Sequence, residues 1–271
     1  MGGARKRRTS SAHGGLFRRL RLALLVLLLV AVAGDAWLTR ERTTDWNRPL
    51  WVTVYPINGD GSAVSAAYLA GLQRDTFEPV QAFLARQGRR YGLTLRQPVE
   101  VRLGPQLHEH PPSTPANANP LAVIWWSLRM RYWAFRVVRA AGGPPYDVRM
   151  FASYYDPATH PRLAHSVGLE KGLIGIANLF ASASMTGENN VIITHELMHT
   201  VGATDKYDPV TDQPRYPQGY ADPQRVPRYP QVRAEIMGGR IPLSPTRAQI
   251  PASLAQVVIG PVTAREIHWA H

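Results

Sequence analysis

Apolar and polar residues alternate along Leu50-Trp51-Val52-Thr53-Val54-Tyr55-Pro56, and a period of two in β-branched and aromatic residues predicts a strand. Val99–Leu103, residues 147–155 and residues 172–179 read as three more. Between the first two, the period lengthens. From 62 to about 87, Val64, Leu69, Leu72, Phe77, Val80 and Leu84 recur at helical spacing, with Gly88 as a stop and Pro79 as a kink. Residues 108–120 form a loop rich in Pro and Asn. Residues 121–140 are apolar over most of a helical circumference, yet Arg129, Arg136 and Arg139 fall on one side at 100° per residue, with Arg131 apart. Another apolar helix runs from 191 to about 201, with Asn189 or Asn190 as its N-cap, and a last one from about 262 to 269. The stretch 209–230 is dense in Pro and Tyr and predicts a loop without regular structure. Strands and helices are mixed along the chain without an internal repeat, and the expected fold class is α+β.

Ahead of the first strand the pattern is different. Residues 22–34 are an unbroken run of Leu, Val, Ala and Gly between Arg18-Arg19-Leu20-Arg21 and Asp35-Ala36-Trp37-Leu38, the composition of an export signal. Two readings fit: a signal peptide cleaved near Ala31-Val32-Ala33, or an uncleaved anchor with Trp37 at the interface and the basic flank in the cytoplasm. Either leaves the rest of the chain outside the cytoplasm, membrane-anchored or secreted. The expected division is a basic cytoplasmic flank at 1–21, a signal-anchor or signal peptide at 22–38, a linker at 39–48 and a folded domain at 49–271. A second membrane crossing at 121–140 is disfavoured, because each central Arg costs about 2.5 to 3.5 kcal/mol in a bilayer. That segment fits a helix packed on the core with its Arg stripe in water. Its other reading is an interfacial helix with Trp125, Trp126 and Trp133 at lipid headgroups.

Composition sharpens this picture in two places. The formal charge of +12 would suggest nucleic acid, but seven positive charges precede the first acidic residue, and the +5 that remains is no nucleic-acid footprint. The chain of 271 residues contains no cysteine, which excludes disulfides, thiol nucleophiles and Cys-ligated zinc. Any metal must be held by His, Asp or Glu.

His195-Glu196-Leu197-Met198-His199 is such a set. Residues four apart share a helix face, so His195 and His199 can present ring nitrogens to one ion, and Glu196 projects beside them as a proton acceptor. The run continues to Asp205 as H-E-x-x-H-x-x-G-x-x-D. Gly202 can take the left-handed conformation that ends the helix and folds the chain back, bringing Asp205 to the same ion. Glu235 and Glu266 are the alternative third ligands. His108, His110, His160, His165, His268 and His271 stand apart from any helical pair and read as surface or capping residues. Of Tyr207, Tyr216, Tyr220 and Tyr229, one could reach a reacting oxygen, though packing is the commoner role.

With Glu235-Ile236-Met237-Gly238-Gly239 downstream, the sequence resembles the metzincin clan of zinc peptidases, in which a methionine turn follows the metal-binding helix. It departs from the commoner pattern in having Asp for the third His, and Gly239 where some members carry a tyrosine. The resemblance implies a zincin-like twisted mixed sheet of about five strands packed on two helices, with an antiparallel edge strand above the cleft, expected at 172–179. It also implies Zn2+ as cofactor, a peptide or protein as substrate, and peptide-bond hydrolysis by Glu-assisted attack of zinc-bound water. The rival from another class is a membrane-tethered binding module in which zinc is structural or absent.

Overall fold

Alternation within each strand decides which residues face which layer. The computed structural model describes residues 45–115, 119–169 and 172–270, together with Arg21, Leu22 and Val26. The chain divides into two units, Met1–Arg42 and Thr43–His271. The first lies almost wholly outside the described residues, and with it most of the signal-anchor or signal peptide expected at 22–38. Among the described residues, no helix is long and apolar enough to cross a membrane.

The second unit is a mixed α+β structure built on a twisted five-stranded sheet. Strands β1 (Leu50–Asn58), β2 (Val99–Leu103), β3 (Val148–Tyr155), β4 (Val167–Leu169) and β5 (Ile174–Phe180) lie in the order β2-β1-β3-β5-β4. All pairings are parallel except β4 with β5, which is antiparallel. The antiparallel edge is therefore Val167–Leu169, and the expectation that it would fall at 172–179 is corrected. That segment is internal, hydrogen-bonded to β3 on one side and β4 on the other. Three residues are too few to show a period, so β4 leaves no mark in the pattern of the sequence.

One face of the sheet carries Val52, Val54, Met150, Ala152, Ala177 and Leu179 into the larger core. Against it pack helices α1 (Ala63–Ala70), α2 (Glu78–Arg90) and α4 (Thr186–Thr200). The single helix expected from 62 to 87 is two helices joined through a 3-10 turn at Arg74–Phe77, and Pro79 sits in the first turn of α2, where its missing N–H costs nothing. Helix α4 begins before the expected caps. Asn189 and Asn190 lie inside it, buried: Asn189 bonds the backbone of Phe180 through both ends of its amide, and Asn190 donates to the Thr76 carbonyl.

The other face offers Tyr55, Ile57, Phe151, Ile174 and Ile176 to helix α3 (Pro120–Ala141), which covers it with Trp126, Met130, Trp133, Ala134, Val137 and Val138. This burial of Trp126 and Trp133 removes both from any headgroup contact, leaving Trp125 outside at 64% exposure. The outer face of α3 is not simply an Arg stripe either, because Leu121, Ile124, Leu128, Tyr132 and Phe135 share it.

Beyond α4 the chain makes small elements: β6 (Ala234–Glu235) beside β9 (Val257–Val258), a hairpin of β7 (Ile241–Ser244) and β8 (Arg247–Gln249), and helix α5 (Pro261–Glu266). Residues 209–230 contain no helix or strand, and their Tyr216-Pro217, Val226-Pro227 and Tyr229-Pro230 bonds are cis.

Candidate metal centre

His195 and His199 lie one turn apart on α4, and each ring is fixed from behind. His195 Nδ1 donates to the Ile236 carbonyl at 2.8 Å, and His199 Nδ1 donates to the Ala203 carbonyl at 2.8 Å. A carbonyl can only accept, so the proton of each neutral ring sits on Nδ1 and both Nε2 lone pairs point forward. Gly202, at φ +103°, ends the helix and turns the chain back. The turn delivers Asp205 Oδ1 to 3.2 Å from His195 Nε2 and 3.1 Å from His199 Nε2. The two Nε2 atoms are themselves 3.2 Å apart.

Three acceptors thus converge on one point, which is unfavourable unless a cation lies among them. The near-equilateral triangle has the edge that tetrahedral bonds of about 2.0 to 2.1 Å would give, roughly 3.3 Å. His195, His199 and Asp205 can accordingly hold a metal ion. When no metal is bound, a proton takes the role. Burial lowers the His195 pKa, but Asp205, Glu196 and the Ile236 carbonyl outweigh it and raise it to about 9. Burial works the other way on Asp205, and the two histidines overcome it, holding the carboxyl well below the usual range.

Glu196 is 4% exposed, and its Oε2 is buried with no hydrogen-bond partner among the described residues. Burial raises its pKa against the opposing pull of His195 and His199. It lines a cleft of about 760 Å³ together with His195, Tyr207, Val191, Ile192 and Arg240. The loop 161–166 also lines it, pinned by Asn178, which donates to the carbonyls of Ala164 and His165. Of the isolated histidines, His165 also reaches this cleft. Tyr207 stands with its ring 6.2 Å from that of His195, whereas Tyr220 shares a hydrogen bond with Tyr229 and stacks edge-on with Tyr216. Burial and then Asp205 push the Tyr207 phenol up to about 12, so it is a donor throughout the neutral range.

Two glycines set the height of the cleft. Gly168 of β4 and Gly175 of β5 are direct cross-strand partners beneath α4. A Cβ on Gly168 would lie 2.3 Å from His199 Cβ and 2.7 Å from the Glu196 carbonyl oxygen, so any larger residue would push the edge strand away from α4. The sequence reading missed this pair. Its only trace is glycine repeated within two short apolar runs, Val-Gly-Leu and Ile-Gly-Ile.

Neither alternative third ligand points at the histidines. Glu235 is fully buried: its Oε2 accepts from the N–H groups of Met237 and Gly238, and its Oε1 from Gly260 N–H and Thr263 Oγ1. It thereby holds the turn that contains Met237, itself fully buried in the larger core, and the Ile236 carbonyl that orients His195. Glu266 accepts from Thr204 N–H and Oγ1 and from the ammonium of Lys206, a buried lysine whose N–H reaches the Met237 carbonyl. Glu235→Gln would turn an NH2 towards two donors. We expect it to lower stability by roughly 3 kcal/mol, read as a fall in the thermal midpoint, while folded protein keeps its metal.

No protein-family model and no curated protein matches the chain.

Proposed function

We propose that the chain is a zinc-dependent endopeptidase of the metzincin type. The observation that carries this reading is the convergence of His195 Nε2, His199 Nε2 and Asp205 Oδ1 on one point, beside the buried Glu196, whose Oε2 has no hydrogen-bond partner among the described residues. His195, His199 and Asp205 would hold zinc, which would supply Lewis acidity and a water of lowered pKa. Glu196 Oε2 would take the proton of an attacking water and return it to the leaving amine. An extended peptide adds along the free edge of β4, gaining main-chain hydrogen bonds that aim its carbonyl at the site. The 161–166 loop and Ile192 enclose the flanking side chains.

Tyr207 supplies the donor that Gly239 cannot, offering its phenol proton to the substrate oxygen as charge develops. Tyr207→Phe should lower kcat about a hundredfold, leave KM and zinc content nearly unchanged, and keep the pH profile of the parent. A variant with normal kcat would remove Tyr207 from the reaction.

In this reading the N-terminal apolar run exports the domain, as an anchor or a cleaved signal, and the cleft meets its substrate outside the cytoplasm. A structural zinc site is the less suitable description, because such sites are closed by four protein ligands and have no use for a free carboxylate beside them. The test is zinc analysis of the purified protein combined with a peptide-library digest. Stoichiometric zinc and chelator-sensitive cleavage are expected, and zinc without cleavage of any peptide would sink the enzymatic reading.

A further inference from the structure

The face of α3 turned away from the sheet carries a second pattern that the fold does not use. Leu121, Ile124, Trp125, Leu128, Tyr132 and Phe135 are all exposed, from 52% at Leu128 to 74% at Leu121. At 100° per residue they fall within a sector of about 100°, one continuous stripe along four turns. Soluble surfaces rarely carry so large an apolar patch without a partner. Arginines border it. Arg129 and Arg136 lie along one flank, Arg131 along the other and Arg139 at the C-terminal end, and residues 110–146 contain no Asp or Glu. Glu109 pairs with Arg136, whereas Arg129 and Arg139 have no ion pair among the described residues.

We propose that this stripe lies in the headgroup layer of an anionic lipid bilayer, with α3 parallel to the surface. The charge pattern selects that occupant. An apolar stripe edged by arginine, with Trp and Tyr among its members, matches the boundary between acyl chains and negative headgroups. A second copy of the chain fits poorly: antiparallel pairing of two such helices centred on the stripe would bring Arg129 of each against the other, with no acidic residue to answer it. Helices α3 and α4 cover opposite faces of the sheet, so docking α3 presents the cleft away from the lipid. The inference does not depend on the peptidase reading, and its test uses no activity measurement.

The chain has no native cysteine, so single cysteines report one site each. The full chain carrying Leu128→Cys, or Val226→Cys as a control in the exposed 209–230 loop, is spin-labelled and reconstituted into phosphatidylcholine vesicles with or without phosphatidylglycerol. Collisions with oxygen and with a water-soluble relaxant are then compared. With phosphatidylglycerol present, the label at position 128 should gain oxygen contact and lose contact with the aqueous relaxant, while the label at 226 stays in water. Adding Arg129→Glu and Arg139→Glu should return position 128 towards water, since each basic side chain at an anionic surface contributes about fivefold in partitioning. A label at 128 as wet as that at 226 overturns the proposal, and so does protection that survives both charge reversals. Dipolar broadening between labels at 128 would name a second copy as the occupant and overturn it equally.

Discussion

On the proposed zinc-peptidase reading, Glu196→Gln is expected to retain zinc and to lose peptidase activity by about a hundredfold or more. General acid-base catalysis contributes 10² to 10⁴, and the substitution removes the buried carboxylate beside the three converging atoms while keeping its shape. The change is gentle on the fold, because Glu196 Oε2 bonds nothing that an amide would lose. Zinc content by elemental analysis, thermal midpoint and turnover measured on one preparation separate the catalytic effect from the others. Undiminished hydrolysis would take Glu196 out of the mechanism. Loss of zinc in parallel with activity would make it a ligand and not a base.

The second large effect is expected at Asp205. Asp205→Ala should weaken zinc binding by well over a hundredfold, because even partners one shell further out change affinity by 10 to 100. Asp205→His should restore much of it, imidazole being an equally good zinc ligand. The proton that shares the site adds a pH signature. With His195 raised to about 9, zinc must displace a proton at neutral pH, so apparent affinity should fall about tenfold per unit as pH drops below 9. In Asp205→Ala the largest cause raising the His195 pKa is gone, and the onset of that slope should move to lower pH. Competition titration with a chromophoric chelator across pH 6 to 10 would read both effects. Full zinc occupancy in Asp205→Ala, with loss in Glu235→Gln, would hand the third position to the distant glutamate.

The longer strands were legible because each is a run of five or more residues rich in β-branched, aromatic or other apolar side chains, and helix α4 because the H-E-x-x-H motif fixes both spacing and chemistry. What escaped the sequence depended on partners distant along the chain. Asn189 and Asn190 have the chemistry of N-caps, but their amides are spent on Phe180 and Thr76, so the helix starts earlier. The break between α1 and α2 lies at Gly71-Leu72-Gln73, where Leu72 continues the apolar period and conceals it. Glu235 and Glu266 offered carboxylates of suitable type, and composition could not tell that each faces backbone and side-chain donors instead of the histidines. Lys206 gave no signal at all: an ordinary lysine in a polar run is 3% exposed and ion-paired.

The six-residue helix α5 touches no ligand, yet it grips the site from two sides. Gly260 and Thr263 hold Glu235, and through it the turn behind His195; Glu266 holds Thr204 and Lys206, the neighbours of Asp205. Trp46 adds a third hold by donating to the Ile267 carbonyl. Undocking of this one short segment would slacken the supports of two ligands together while the sheet and both cores stayed intact. The rate at which a metal held by His195, His199 and Asp205 was released would then be governed by a local opening near residue 260, with a free energy well below that of global unfolding.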